Sequence, residues 1–245
     1  MSDKSFFSIA IKLMKRAIPD RFFPILIDLK NSVFGKYEKS YYSQFGEDVV
    51  LSRILRERQG FYVDIGAYHP KHLSNTYLLF KKGWRGINID PNPYAIRLFN
   101  KYRKNDTNLA VGISRENAVR KFYLFSHSNW NTFSSEKAEQ WKNRIDVRYL
   151  GDRNVKCLPI SAVLDQYAPD GAVIGLMNID VEGLDLEVLE SNDWRKYRPI
   201  VIVVECANFN PARPESSGVY QFLIAQGYRL FVFLGLSLIF VRNEK

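Results

Sequence analysis

At 245 residues the chain has room for one α/β domain and a short extra segment, and not for two catalytic domains. Hydrophobic residues at 46% and charged residues at 25% exclude an intrinsically disordered chain. The 35 lysines and arginines against 26 acids give a net charge of +9, whose field favours anionic ligands; scattered rather than blocked along the chain, it permits nucleic-acid binding without indicating it.

The opening stretch, Ser5 to Lys36, mixes Phe6, Phe7, Ile9 and Ile11 with Lys12, Lys15 and Arg16, and is broken by Pro19 and Pro24. It reads as two basic amphipathic helices in a segment over 1–40. Such a segment is either a cap on the main domain over 41–245, an attachment to an anionic membrane surface, or the contact of a homodimer. The apolar run Phe6 to Ile11 is too short for a secretory or membrane-spanning segment. The expected location is therefore cytoplasmic, with peripheral contact at the inner face of the membrane as a variant. Cys157 and Cys206 lack the CxxC spacing of a zinc or redox site and read as buried free thiols.

From Gln44 onward short apolar runs alternate with helical stretches, the βαβα order of a mostly parallel sheet covered on both faces. A helix over Glu47 to Arg58 precedes a first strand from Phe61, which ends at Asp64 and turns at Gly66. A helix over Ser74 to Lys82 leads to a second strand, Gly86 to Asp90, and Pro91-Asn92-Pro93 then opens the helix Tyr94 to Lys101. Asn108 to Ile113 is the third strand. Arg120 to Phe125 and Asn154 to Leu158 are strands around a polar segment rich in Ser, Asn and Trp, which is expected to supply substrate-facing loops. A short helix begins around Leu164, and Val173 to Ile179 is a fourth strand ending at Asp180. Leu184 to Glu190 is helical, Ile200 to Val204 is a fifth strand ending at Glu205, and Val219 to Ala225 is the last helix. The apolar tail, Tyr228 to Val241, is too short to cross a bilayer and reads as two strands turning near Gly235, an antiparallel finish to the sheet.

In an open parallel sheet the ligand sits beyond the carboxyl ends of the strands, and here four of those ends carry acids: Asp64, Asp90, Asp180 and Glu205. Any one of them alone is an ordinary surface acid. The set predicts a polar pocket along one edge. Asp64-Ile65-Gly66-Ala67 joins an acid to a glycine that lets the backbone bend and approach a ligand closely. It is not GxGxxG, and Tyr68, His69 and Pro70 crowd the loop where a pyrophosphate would need bare amides, so a nicotinamide or flavin enzyme is the weaker reading. S-adenosylmethionine has no pyrophosphate but carries an ammonium, a sulfonium and a ribose diol, which suits a carboxylate at the first turn. Asp90, at the end of the second strand, is placed to accept the ribose hydroxyls.

Six motifs in order, from about Ser43 to Cys206, resemble the FkbM family of methyltransferases: Ser43-Gln44-Phe45-Gly46-Glu47-Asp48, Val63-Asp64-Ile65-Gly66-Ala67, Ser74-Asn75-Thr76, Gly83-Trp84-Arg85-Gly86, Asp90-Pro91-Asn92-Pro93 and Ile179-Asp180-Val181-Glu182-Gly183. The resemblance implies a Rossmann-like class I methyltransferase fold with a mostly parallel seven-stranded sheet and a C-terminal antiparallel strand. It implies S-adenosylmethionine as cofactor, with Asp64 and Gly66 at its methionine end, Asp90 on the ribose, and Gln44 with Ser74, Asn75 and Thr76 closing over it; Ala67 and Asp180 are further candidate cofactor contacts. It also implies O-methylation of sugars during polysaccharide or natural-product assembly. Tyr68-His69-Pro70 departs from the small pair more common in the family after Ala67.

Methyl transfer is an in-line displacement that asks the protein to align an acceptor oxygen, exclude water and take up a proton. The candidate catalytic groups are Asp180, Glu182, His69 and Glu205, with His127 a further candidate base. Asp180 and Glu205, ending neighbouring strands, are alternatively a grip for a divalent cation. His127, Trp130 and Asn131, in a polar and aromatic stretch, are the candidate substrate contacts; for His127 the competing reading is a surface loop histidine, and for His69 a structural hydrogen-bonding role. Asn92-Pro93-Tyr94 resembles part of the nucleic-acid amino-methyltransferase signature but follows the second strand instead of the fourth, which disfavours DNA or RNA as partner. The expected substrate is a sugar or glycan carrying phosphate, nucleotide-activated or lipid-linked. The competing expectations are a cofactor-binding assembly or membrane-associated protein without transferase activity, and a methyltransferase for lipid or protein acceptors.

Overall fold

The computed structural model describes residues 41–55 and 60–243, all within one compact unit that begins at Tyr41. The helices expected over 1–40 and the end of the helix expected to reach Arg58 lie outside the described residues.

Three segments whose apolar runs are nearly continuous form the centre of a seven-stranded sheet: β1 (Phe61–Ile65), β7 (Ile174–Ile179) and β8 (Val201–Glu205). Such runs fit strands covered on both faces. β2 (Arg85–Ile89) and β3 (Thr107–Leu109) extend the sheet on one side. β9 (Tyr228–Leu234) and β10 (Ser237–Arg242) complete it on the other, in the order β3-β2-β1-β7-β8-β10-β9. β10 runs antiparallel to both β8 and β9, while the β1, β2, β3, β7 and β8 pairings are parallel. The seven strands and the antiparallel C-terminal element agree with the sequence expectation.

The pleat sorts the core. Val63 and Ile65 pack with Ile87, Ile89, Met177 and Ile179 against the helices α5 (Ile160–Tyr167), α6 (Asp185–Glu190) and α7 (Gly218–Ala225). Tyr62, Leu176, Val201, Val203 and Ile239 form the opposite layer, under α1 (Glu47–Ile54) and α2 (Tyr77–Lys81). Asp64 is in step with Tyr62 and therefore projects to that second face. α3 (Pro93–Tyr102) starts where the sequence demands: Pro93 occupies the first turn, and Asn92 caps it, its Oδ1 accepting the Tyr94 amide at 3.0 Å. Replacing Asn92 by alanine is expected to cost about 1 kcal/mol, read as a lower urea midpoint with an unchanged denaturant slope.

Two expectations are corrected. Asn108 to Ile113 is not one strand: β3 stays in the main sheet, whereas β4 (Gly112–Ile113) pairs parallel with β6 (Tyr149–Leu158) in a separate three-stranded sheet, β4-β6-β5, with β5 (Ala118–Phe125). The hydrogen-bonding partner changes at Ala110-Val111, and a run of β-compatible residues carries no mark of such a change. The polar segment between β5 and β6, expected as loops, contains a 3₁₀ turn (Ser128–Trp130) and a helix, α4 (Ser135–Lys142), capped by the Ser134 hydroxyl. Only Ala138 of α4 is buried. With Phe125, Val147, Trp130 and Trp141 it makes a small separate core.

Candidate active site

A cavity of about 380 Å³ opens at the carboxyl ends of β1, β2, β7 and β8, a volume within the range of small-molecule sites. Asp64, Asp90, Asp180 and Glu205 all line it, as their strand-end positions predicted. So do Gln44, Gly66, Ala67, Ser74, Asn75, Glu182, Trp130 and Asn131. Thr76, His69 and His127 are not among the lining residues.

Each wall has a local cause. The Ser43-Gln44-Phe45-Gly46-Glu47-Asp48 motif is a self-closed turn: Asp48 accepts the Ser43 hydroxyl at 2.8 Å and the Tyr42 amide at 2.8 Å, and Glu47 accepts the Phe45 amide at 2.8 Å and the Ser237 hydroxyl at 3.0 Å. Gln44 is thereby presented to the cavity. Gly66, at φ +77°, donates its amide to Ile89 O at 2.9 Å. A Cβ there would lie 1.7 Å from the Asp180 carbonyl oxygen. The missing side chain makes room for the neighbouring strand end as well as allowing the turn.

Asp90 accepts the Tyr68 amide at 2.9 Å and the Asn92 amide at 2.7 Å, which aims its carboxylate into the cavity beyond β2. Burial pushes its carboxyl up to about 6, against the pull of those two amides. Asp64 is differently placed. Its Oδ1 accepts Asn178 Nδ2 at 2.8 Å and its Oδ2 accepts the Thr76 hydroxyl at 2.5 Å, and Asn75 in turn donates to Asn178 Oδ1 at 2.8 Å. Burial raises Asp64, while Arg103, Thr76 and Asn178 oppose the rise. Both of its oxygens are thus engaged by protein, and it borders the cavity mainly as the anchor of Asn178 and Thr76.

The opposite part of the cavity carries the acids Asp180, Glu182 and Glu205, with an oxygen from each within 4.8 Å of the others. Asp180 opens into the cavity, yet the surrounding walls remove much of its hydration. Burial and then the neighbouring Glu205, Asp185 and Glu182 hold it well above the usual carboxylate range. Glu205 and Glu182 are raised for the same first reason. Lys137 of α4 pairs with Glu182 at 3.2 Å and is the one cation in direct contact with this cluster among the described residues. Trp130 and Trp141, edge to face at 5.0 Å, form the wall contributed by the β5–β6 insertion.

Two candidate histidines lie outside the cavity lining. His69 accepts the Lys71 and His72 amides on its Nδ1 at 3.1 and 3.0 Å, which shapes the loop, and burial with the neighbouring His72, Lys71 and Arg103 lowers its basicity. His127 is exposed, within 3.2 Å of the Ser126 hydroxyl. Thr76 is fully buried behind Asp64. Sequence reasoning missed Asn178, Lys137, Trp141 and Arg103. Asn178 alone left a visible signal, a polar residue within the apolar run Ile174–Ile179.

The model of the Methyltransferase FkbM domain family matches residues 64–230. Among curated proteins no match is found. Among solved structures, the chain is similar to the precorrin-6y C5,15-methyltransferase from Geobacter metallireducens GS-15, at 12% identity and a TM-score of 0.41, over 83% of this chain and 90% of that one. No helix among the described residues is long and apolar enough to cross a membrane.

Proposed function

Given that the chain belongs to the FkbM methyltransferase family and so uses S-adenosylmethionine, we propose that it methylates a hydroxyl of a sugar, nucleotide-activated or lipid-linked, in surface polysaccharide or natural-product assembly. The cavity suits the cofactor on the chemistry of its donors: Asp90 offers a buried carboxylate for a ribose diol, and Gly66 to Ala67, Ser74 and Asn75 line the adjoining wall. When bound, S-adenosylmethionine supplies an electrophilic methyl group. The remaining tasks fall to this chain's residues.

The observation that carries the acceptor reading is the Asp180–Glu205 pair, both raised first by burial and then by neighbouring carboxylates, Glu205 acting on Asp180 and Asp185 on Glu205, in the same cavity as two tryptophans. A carboxylate raised toward neutrality is a better proton acceptor for a hydroxyl losing its proton during transfer. Carboxylates beside aromatic rings also match a sugar, whose hydroxyls donate hydrogen bonds while its C–H faces pack on indole. Asp180 or Glu205 takes the proton, Glu182 orients the acceptor from its Lys137-paired position, and Trp130 and Trp141 help exclude water.

The test is an acceptor screen with tritiated S-adenosylmethionine against nucleotide sugars, lipid-linked saccharides, lipids and peptides, with and without chelator. Asp180→Asn is expected to lower turnover by roughly 100-fold or more while leaving S-adenosylhomocysteine affinity within about threefold. Label on a lipid or peptide alone would replace the sugar reading. Turnover abolished by chelator and restored by magnesium would turn the acid cluster from a base into a cation site. Cofactor binding without transfer to any acceptor, insensitive to Asp180→Asn, would favour a binding protein.

A further inference from the structure

We propose that Arg103, which does not line the cavity, is a positioning residue that sets affinity for the amino-acid end of the cofactor, acting through the Pro70 carbonyl, Ser74 and Thr76; this rests on the S-adenosylmethionine reading above. Arg103 follows α3 and belongs to none of the sequence motifs, yet its side chain is 0% exposed. Its Nε and Nη2 donate to Pro70 O at 2.9 and 2.6 Å, and Nη2 also donates to the Ser74 hydroxyl at 2.8 Å. Nη1 reaches the Thr76 hydroxyl at 2.7 Å, the Tyr62 hydroxyl at 3.2 Å and Asn88 Oδ1 at 3.3 Å. The guanidinium thus spends most of its donors on one stretch of chain, the loop and the residues that follow it.

That stretch needs holding. Tyr68 and Leu73, at φ +52° and +51°, bound a loop whose ends lie in a conformation that residues with a Cβ resist, and both line the cavity. The loop's start is fastened by the Tyr68 amide to Asp90, and its end by the Ser74 amide to Tyr42 O at 2.8 Å. Between them, among the described residues, the hydrogen bonds that tie the loop to the body of the protein are the two from Arg103 to Pro70. Through Thr76 the same guanidinium is linked to Asp64, and through Asp64 to Asn178 and Asn75. Asn75 and Asn178 are in the cavity wall. A planar fork can serve Pro70, Ser74 and Thr76 together. A lysine, with its donors on one nitrogen, cannot.

The experiment compares wild type, Arg103→Lys and Thr76→Val in calorimetric titrations with S-adenosylhomocysteine and with 5′-methylthioadenosine, which has the adenine and ribose but no amino-acid chain; each protein's melting temperature is recorded alongside. Arg103→Lys is expected to lose roughly tenfold or more in S-adenosylhomocysteine affinity and Thr76→Val about threefold, with methylthioadenosine affinity changed less than about twofold in both. A folded Arg103→Lys that binds S-adenosylhomocysteine as wild type does, or that loses both ligands equally, overturns the proposal. If Arg103→Lys does not fold, Thr76→Val decides by the same criterion. Wild type that binds neither ligand overturns the cofactor reading and this proposal with it, whereas wild type that binds while the variants bind equally well overturns this proposal alone.

Discussion

Replacing Asp90 by asparagine is expected to weaken S-adenosylhomocysteine binding at pH 7.5 by roughly 100-fold, the loss of charge from two ribose hydrogen bonds at about 1.5 kcal/mol each. Wild-type affinity is expected to fall as the pH drops through about 6. The sign follows from burial: Asp90 is raised to about 6 in the folded chain, so it is ionised above that pH and protonated below it. Only the ionised form accepts from both hydroxyls. A ligand that prefers the ionised form lowers the carboxyl's pKa on binding and releases a proton, measurable as a buffer-dependent binding enthalpy near pH 6. Asp64 also presses on Asp90 and raises it, but its own carboxylate is engaged by Thr76 and Asn178. Asp185 is likewise raised to about 6, but it accepts the Val181 and Gly183 amides and does not line the cavity. Asp90→Asn should therefore flatten the profile. A profile that keeps its slope in the variant assigns the titration elsewhere. For folding the sign is opposite: the raised carboxyl favours the folded state at low pH, and that contribution fades as pH rises from the ordinary aspartate value to about 6.

Gly66→Ala is expected to cost about 4 kcal/mol or more of folding stability, and to leave little folded protein at 37 °C. Two effects add. The left-handed backbone at φ +77° costs a residue with a Cβ about 1 kcal/mol. The larger one is steric: the Cβ would sit 1.7 Å from the Asp180 carbonyl oxygen, which belongs to backbone and cannot rotate away. β1 and β7 would have to separate at the point where the cavity is built, in a core with no spare volume. Urea unfolding followed by circular dichroism measures it. A variant with a wild-type midpoint would mean that the two strand ends can part at little cost.

The sheet was legible because its central strands are written in buried apolar runs, and because acids at Asp64, Asp90, Asp180 and Glu205 mark where those runs meet the cavity. Spacing alone carries that information. What stayed hidden depends on partners distant in sequence. Arg103 lies in the stretch Lys101-Tyr102-Arg103-Lys104, which reads as a solvated helix end; only the approach of Pro70, Ser74 and Thr76 turns one of its cations inward. Ala110-Val111 does not announce that the chain leaves one sheet for another. α4 had strong local helix formers in Glu136, Lys137, Ala138 and Glu139, but its apolar contacts come down to Ala138 and Trp141, too few to show a period. For His69 the structure supports the competing reading, a structural hydrogen-bonding role. Nearness in sequence to Gly66 suggested chemistry, and its Nδ1 braces the Lys71–His72 turn.

The bond from Ser237 to Glu47 spans 190 positions and joins two segments that both line the cavity. During synthesis on the ribosome, Glu47 emerges long before β10 does, so the cavity remains open on that side until the β9–β10 hairpin has been made and docked. Closing so long a loop is slow and entropically unfavourable until neighbouring contacts reward it. A nascent chain halted before Ser237 would already hold Asp64, Asp90, Asp180 and Glu205 in its sequence and still lack the wall that completes their enclosure. The order of translation thus adds this side of the cavity only after all four strand-end acids have been made.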